Sequence, residues 1–155
     1  ERLTSLFSSL HLLSQHCDVV FPVHPRTKKQ MISFGLFEQI SQNPHFHLIE
    51  PMGYIDFLGL VLQAKCVCTD SGGIQEETTT LNIPCITIRE NTERPVTVEY
   101  GSNVLAGNDG KNIYQLGKNA IDGKWKQSHI PPLWDGNTRS RIVDIIQNWF
   151  TTRLQ

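Results

Sequence analysis

The sequence predicts an α/β domain built on a doubly wound parallel sheet. Short apolar runs alternate with longer stretches of helical periodicity, the order expected when parallel strands are joined by crossover helices. The segments that follow the apolar runs are the ones richest in Gly, Pro, His and charge, which is where such a sheet presents its ligand crevice. The length of 155 residues suits one domain with a sizeable core and is too short for two ordinary ones. At 39% hydrophobic and 19% charged residues the chain is globular rather than disordered. A formal net charge of −1 leaves no broad basic surface for nucleic acid. No apolar run reaches transmembrane length. Glu1 opens directly in an amphipathic pattern with neither initiator Met nor signal peptide, so an excised piece of something longer is expected.

The elements follow in order. Leu3, Leu6, Phe7, Leu10 and Leu13 recur at helical spacing and predict an opening amphipathic helix. Val19 to Val23 is a first buried strand, with His24-Pro25-Arg26-Thr27 as the loop at its C-terminal end. Thr27 to about Ile40 predicts a helix interrupted near Gly35. His47 to Glu50 is a second strand and Pro51-Met52-Gly53 a loop. Tyr54 to Ala64 has an apolar helical face. Cys66 to Asp70 is a third strand and Gly73 to about Leu81 the helix after it. Pro84 to Ile88 is a fourth strand, followed by a polar loop from Arg89 to Pro95. Asn103 to Ala106 is a short fifth strand. Lys111 to Ile121 and Thr138 to about Arg153 are further helices, separated by an irregular stretch containing Pro131, Pro132 and Gly136. No internal repeat or interdomain linker is evident. The ensemble is a Rossmann-like domain.

Of the four cysteines, Cys66, Cys68 and Cys85 lie within strand-like runs and Cys17 just before one. Cys66 and Cys68 fall on the same side of a strand. Their expected state is reduced and buried, each serving as a small hydrophobe. The spacing does not suit zinc, and reduced cysteines fit the cytoplasm.

The strongest functional signal is Thr69-Asp70-Ser71-Gly72-Gly73-Ile74-Gln75-Glu76-Glu77. It predicts a strand, a glycine turn and the start of a helix. Small residues there let the backbone approach a ligand, and the free N–H groups of a helix start favour an anion. The plainer reading is a tight turn with Ser71 or Asp70 as helix cap. Glu76 and Glu77 are placed in the first turn, where a dipole interaction is the ordinary role and a ribose hydroxyl pair the functional one. Adjacent helical residues point about 100° apart. At most one Glu should therefore face the crevice, with the other facing solvent or a partner. Arg89 and Arg94 flank Glu90-Asn91-Thr92-Glu93. Arginine grips phosphate with parallel hydrogen bonds, so the loop suits a diphosphate and its sugar. His24 sits at a strand end, extended by Pro25. Tyr54 and Phe57 are core or edge aromatics, one of which can line a base pocket.

The run from Thr69 to Glu77, together with Arg89-Glu90-Asn91-Thr92-Glu93-Arg94-Pro95, resembles the non-hydrolysing UDP-N-acetylglucosamine 2-epimerases. Phe21-Pro22-Val23-His24-Pro25, Leu48-Ile49-Glu50-Pro51, the segment Gly101 to Gly107, and Asp135-Gly136 with Arg141-Ile142-Val143 extend the likeness from about residue 18 to 146. The resemblance implies the C-terminal, UDP-binding Rossmann-like domain of a two-domain GT-B enzyme. That domain would span residues 1–155, with the N-terminal domain absent. It implies an isomerase interconverting UDP-N-acetylglucosamine and UDP-N-acetylmannosamine through elimination and re-addition of UDP, with roles in polysaccharide biosynthesis. By resemblance Ser71, Gly72 and Gly73 hold the diphosphate, Arg94 assists, Glu77 holds the ribose and Phe57 lies beside the uracil. His24 resembles the cleft histidine near the site of an activating second UDP-N-acetylglucosamine. The acids and bases of the C2 proton belong mainly to the other half, so no catalytic residue is assigned here and this chain alone is expected to be inactive. No metal, NAD or other cofactor is implied. The implied partners are UDP-N-acetylglucosamine, UDP, the N-terminal domain and, at full length, a second subunit, with no nucleic acid or membrane. A hydrolysing 2-epimerase, another GT-B nucleotide-sugar enzyme and a non-catalytic nucleotide-binding module remain as alternatives. Met52 departs from the polar residue common at its position, and Thr78-Thr79-Thr80 lowers helix propensity.

Overall fold

The computed structural model describes residues 2–153. β1 (Val19–Pro22) pairs with β2 (Phe46–Ile49), and β3 (Val67–Thr69), β4 (Cys85–Thr87) and β5 (Asn103–Leu105) form a second ladder in that order. All three pairings are parallel, as the alternating pattern predicts. The expected sheet is interrupted: among the described residues no ladder joins β1 to β3.

The opening helix α1 (Arg2–Leu13) spans that break. Leu3, Phe7 and Leu10 pack into a core with Val23, Met31, Leu36, Ile40 and Phe46. Leu6, on the neighbouring stripe, packs instead against Ile86, Ala106 and Ile113. One amphipathic helix therefore serves both cores, and the two ladders share an apolar roof rather than a hydrogen bond.

β4 shows why the domain is doubly wound. Its three residues are all buried, although their side chains alternate between faces. Ile86 packs in the cluster that holds Ile113 of α7 (Gly110–Ile121). Cys85 and Thr87 point the other way. Cys85 meets Thr78 of α5 (Gly72–Thr80), and Thr87 bonds Asn103 on β5. Helices thus cover both faces, and the strand accordingly has no solvent-facing position.

Local signals explain most boundaries and correct several. α2 (Pro25–Ser33) begins two residues before the expected Thr27. His24 Nδ1 accepts the Arg26 N–H at 3.2 Å and caps it, and Pro25 suits the first helical position. Gly35, at φ +67°, ends that helical run and opens α3 (Leu36–Ser41). α4 (Tyr54–Gln63) starts after Gly53. α5 starts at Gly72, which moves Glu76 and Glu77 out of the first turn into the second. A short helix, α6 (Pro95–Glu99), stands where no element was expected, with Pro95 at its first position. Asp109 caps α7 by accepting the Lys111 N–H at 2.9 Å. In α5 the hydroxyls of Thr78 and Thr80 bond carbonyls one turn back, at 2.7 and 3.0 Å, a habit that slightly weakens a helix.

α8 (Thr138–Arg153) has no buried residue. Ile142, Ile145, Ile146, Trp149 and Phe150 are each at least half exposed. Its start is pinned by Arg141, whose guanidinium donates to both carboxylate oxygens of Asp135 at 2.9 and 3.0 Å. That partner holds the Asp135 carboxyl well below the usual range.

α1 and α7 approach closely at Gly110. A methyl group there would lie 2.6 Å from the Ser5 and Ser9 hydroxyls and 2.9 Å from the Ser5 carbonyl oxygen. Gly110→Ala should therefore cost about 1–3 kcal/mol by overpacking, measured by urea denaturation. The four cysteines are free thiols, and Cys66 and Cys68 both pack against the Ile86 cluster. Burial pushes these two thiols up to about 12. Below about pH 8.5 the thiols are neutral in both states and this contribution is whole. Above it the unfolded chain releases protons that the folded chain keeps, so stability should fall as pH rises. Native alkylation at pH 8 should be slow and should become fast in denaturant.

Candidate functional site

The polar segments after β1, β3, β4 and β5 lie at the C-terminal ends of the parallel strands, where the fold opens its crevice. The turn after β3 is built from the strand outward. Thr69 is buried, and its hydroxyl accepts the Ser71 N–H at 3.0 Å. Ser71 takes the N-cap position of α5 in an extended conformation and makes no side-chain cap bond, contrary to the plainer expectation. The first intrahelical contact is Gln75 N–H to the Ser71 carbonyl at 3.3 Å. The amides of Gly72, Gly73 and Ile74 precede it, so their N–H groups have no helical acceptor. Together they form a small anion-favouring mouth with an exposed serine hydroxyl at its rim.

Arg94 lies over this mouth. A methyl group on Gly72 would sit 3.8 Å from Arg94 Cγ and 3.9 Å from its Nε. Glu76, one turn beyond Gly72 on the same helix face, holds the guanidinium with Nε and Oε1 2.8 Å apart. The N–H is not aimed at the oxygen and Nε makes no aligned hydrogen bond, so the contact is an ion pair. Among the described residues Nη1 makes only a long 3.4 Å bond, to the Glu93 carbonyl. The arginine is thus positioned by its Nε side, with its outer edge available to an oxyanion.

Glu77 points elsewhere, as the helical angle requires. Its carboxylate lies near the hydroxyl of Tyr54 at the start of α4, and its charge pushes the Tyr54 phenol up. Phe57 stands one turn after Tyr54 on the same face of α4 and is half-buried. The two adjacent glutamates differ in what they meet within the chain: Glu76 takes the arginine and Glu77 lies by the tyrosine.

The loop after β4 is ordered by side chains from outside it. Thr92 donates to Gln75 Oε1 at 2.6 Å and accepts the Arg94 N–H at 2.9 Å. Thr97 donates to the Arg94 carbonyl at 2.7 Å and accepts from Asn103 Nδ2 at 3.0 Å. Asn103 Nδ2 also reaches Gln75 Oε1 at 3.1 Å, and its Oδ1 accepts from Thr87 at 2.6 Å. Gln75, Asn103, Thr97 and Thr87 are fully buried. The Arg89 side chain, by contrast, has a loose 3.9 Å ion pair with Glu93.

A cavity of about 320 Å³ lies beside the turn, lined by Asp70, Ile88, Arg89, Gly107 and Asn108 and closed by Leu3 and Leu6 of α1. Arg89 rather than Arg94 lines it. His24 sits at the end of β1, exposed, with Nδ1 occupied by the α2 cap. Among the described residues no hydrogen bond or ion pair links it to the glycine turn, Glu77 or Arg94.

The structure thus gathers Ser71, Gly72, Gly73 and Arg94, sets Glu77 near Tyr54 of α4 with Phe57 one turn further along that helix, and leaves His24 apart. Glu76 was weighed from sequence for the helix dipole or a ribose, and its tie to Arg94 was not foreseen. Two further participants were not singled out. Gln75 and Thr92 carried no local signal, because each matters through a partner distant in the chain. Glu77→Gln should return the Tyr54 phenol towards its ordinary value, read as an earlier ionisation in a tyrosinate absorbance titration.

The comparisons with known proteins point one way. The family profile described as UDP-N-acetylglucosamine 2-epimerase matches residues 1–147. The UDP-N-acetylglucosamine 2-epimerase of Methanococcus maripaludis is 43% identical over 148 residues, 94% of this chain and 40% of that protein. A structure of the UDP-GlcNAc 2-epimerase of Methanocaldococcus jannaschii superposes with a TM-score of 0.81 at 38% identity, covering 96% of this chain and 41% of its own. A second structure of that enzyme, in complex with UDP-GlcNAc and UDP, gives 0.79 at 38% identity over 95% of this chain and 41% of its own. The chain therefore spans about 40% of the length of the relatives it matches.

Proposed function

This chain belongs to the UDP-N-acetylglucosamine 2-epimerase family, and we propose that it forms the UDP-binding half of an enzyme of that activity. The observation that carries this reading is Arg94 lying across Gly72 at the open N-terminus of α5. A cation and a row of unpartnered amides converge on one small space, as a diphosphate requires. Ser71, Gly72, Gly73 and Arg94 would hold the diphosphate. Glu77 would exchange the Tyr54 hydroxyl for the ribose hydroxyls, and Phe57 would flank the uracil.

The chemical role follows from where charge develops. The epimerase reaction breaks the bond between the sugar C1 and the diphosphate oxygen while the C2 proton leaves. The product pair is UDP and a 2-acetamidoglucal, and re-addition with a proton on the other face of C2 gives the epimer. Negative charge gathers on the departing diphosphate. Donors and a cation fixed in advance stabilise it without reorganising as the bond breaks. This half therefore supports leaving-group departure and return. The proton transfers at C2 are assigned to groups outside it, and Glu76, Glu77 and Arg94 act as ligands and tethers rather than acid or base. The exposed apolar residues of α8 suit burial against further chain of the same enzyme. A homodimer, a cytoplasmic setting and a role in polysaccharide biosynthesis complete the proposal; among the described residues no helix is long and apolar enough to cross a membrane.

Titration of this chain with UDP, followed by NMR, should show weak binding, and the chain should not epimerise UDP-N-acetylglucosamine. A folded chain that ignores millimolar UDP would sink the reading, as would turnover by the chain alone. Arg94→Ala should weaken UDP binding by about 1.5–3 kcal/mol through loss of a charge-assisted contact.

A further inference from the structure

We propose that Gln75 and Thr92 are positioning residues of the phosphate grip, setting the aim of Arg94 through its backbone rather than touching the ligand. The inference rests on the diphosphate reading of the site and adds to it the means by which the arginine is held.

Two restraints act on Arg94, and both lead to the same buried pair. Its N–H is fixed by Thr92 Oγ1 at 2.9 Å, and that hydroxyl is fixed by Gln75 Oε1 at 2.6 Å. Its carbonyl is fixed by Thr97 Oγ1 at 2.7 Å, and that hydroxyl is fixed by Asn103 Nδ2 at 3.0 Å. Asn103 and Gln75 are joined at 3.1 Å, which closes the circuit. Gln75 belongs to α5, the helix whose N-terminus forms the anion mouth. The same helix therefore presents the amides and, one turn later, anchors the loop that carries the guanidinium. Glu76 adds the side-chain tether at Nε. Backbone and side chain of Arg94 are thereby referred to a single rigid body.

Gln75 has the burial of a core residue and the chemistry of a site residue. It is fully buried, yet its Nε2 has no partner among the described residues. An unpaired buried amide hydrogen is costly. An apolar side chain of similar length would avoid that cost and would lose the anchor for Thr92 and Asn103. The glutamine is explained by what its oxygen holds.

Thr92 gives the cleaner test because it is only half-buried. Thr92→Val keeps the shape and removes both hydrogen bonds, whereas Thr92→Ser keeps the hydroxyl. NMR-monitored titrations of the chain with UDP and with uridine separate phosphate aim from base and ribose binding. Thr92→Val should lower UDP affinity about tenfold and leave uridine affinity unchanged, with Thr92→Ser within about twofold of the parent. Gln75→Ala should show the same UDP-selective loss. Thermal unfolding of each variant shows whether the fold persists, and the serine variant separates lost aim from general loosening. Unchanged UDP affinity in Thr92→Val, an equal loss for uridine, or no recovery in Thr92→Ser overturns the inference while leaving the diphosphate reading intact. Unchanged UDP affinity in Arg94→Ala overturns the diphosphate reading, and the inference with it.

Discussion

The structure depends on how α5 is held against the sheet. Its inward face is polar: Gln75, Thr78 and Thr79 are buried there, against Cys85, Thr87, Ser102 and Asn103 of the neighbouring strands and their approaches. Apolar packing of that face would fix the helix by shape alone and tolerate small slides. Hydrogen bonds between side chains have narrower geometry, so the helix N-terminus is fixed more closely. Such networks are demanding, because each unmatched group counts against folding. On this face of α5, Gln75 Nε2 and Thr79 Oγ1 are unmatched among the described residues, as is Arg94 Nε in the loop it holds.

That constraint links fold to chemistry. A phosphate site made of backbone amides works only if the amides converge on one point and the cation meets them there. In this chain the amides come from α5 and the cation from the loop after β4, which are separate in sequence. The Gln75–Thr92 and Asn103–Thr97 bonds join them into one unit. Charge stabilisation of a leaving diphosphate gains most from donors that need not reorganise. The apolar framework, with α1 spanning two cores, supplies the platform on which this arrangement is set.

Much of this was legible in the sequence, for physical reasons that can be named. Leu3, Leu6, Phe7, Leu10 and Leu13 announced α1 because burial imposes a helical period. Strand positions followed from apolar runs bounded by turn residues, and Gly35 marked a break that its positive φ explains. What was missed was set by competition between local and distant partners. The role of His24 Nδ1 as the cap of α2 was not foreseen. The Arg89–Pro95 loop was read for its arginines and a diphosphate, and neither the hold of Gln75 in α5 on Thr92 nor the helix that Pro95 opens was foreseen. The break between β1 and β3 was invisible because each strand carries its apolar run whether or not its neighbour is paired.

By itself, then, the sequence determined the order of the strands and of every longer helix, the parallel architecture they imply, and the family to which the glycine turn and its arginine loop belong. Those properties are local: periodicity, turn chemistry and a motif at fixed spacing. Only the tertiary structure decided that Glu76 holds Arg94 while Glu77 meets Tyr54, and that the arginine lies over Gly72. The reason lies in the separation of the partners. Gln75 reaches 17 residues to Thr92 and 28 to Asn103, and no local pattern in the chain encodes contacts that exist only once the sheet has brought those segments together.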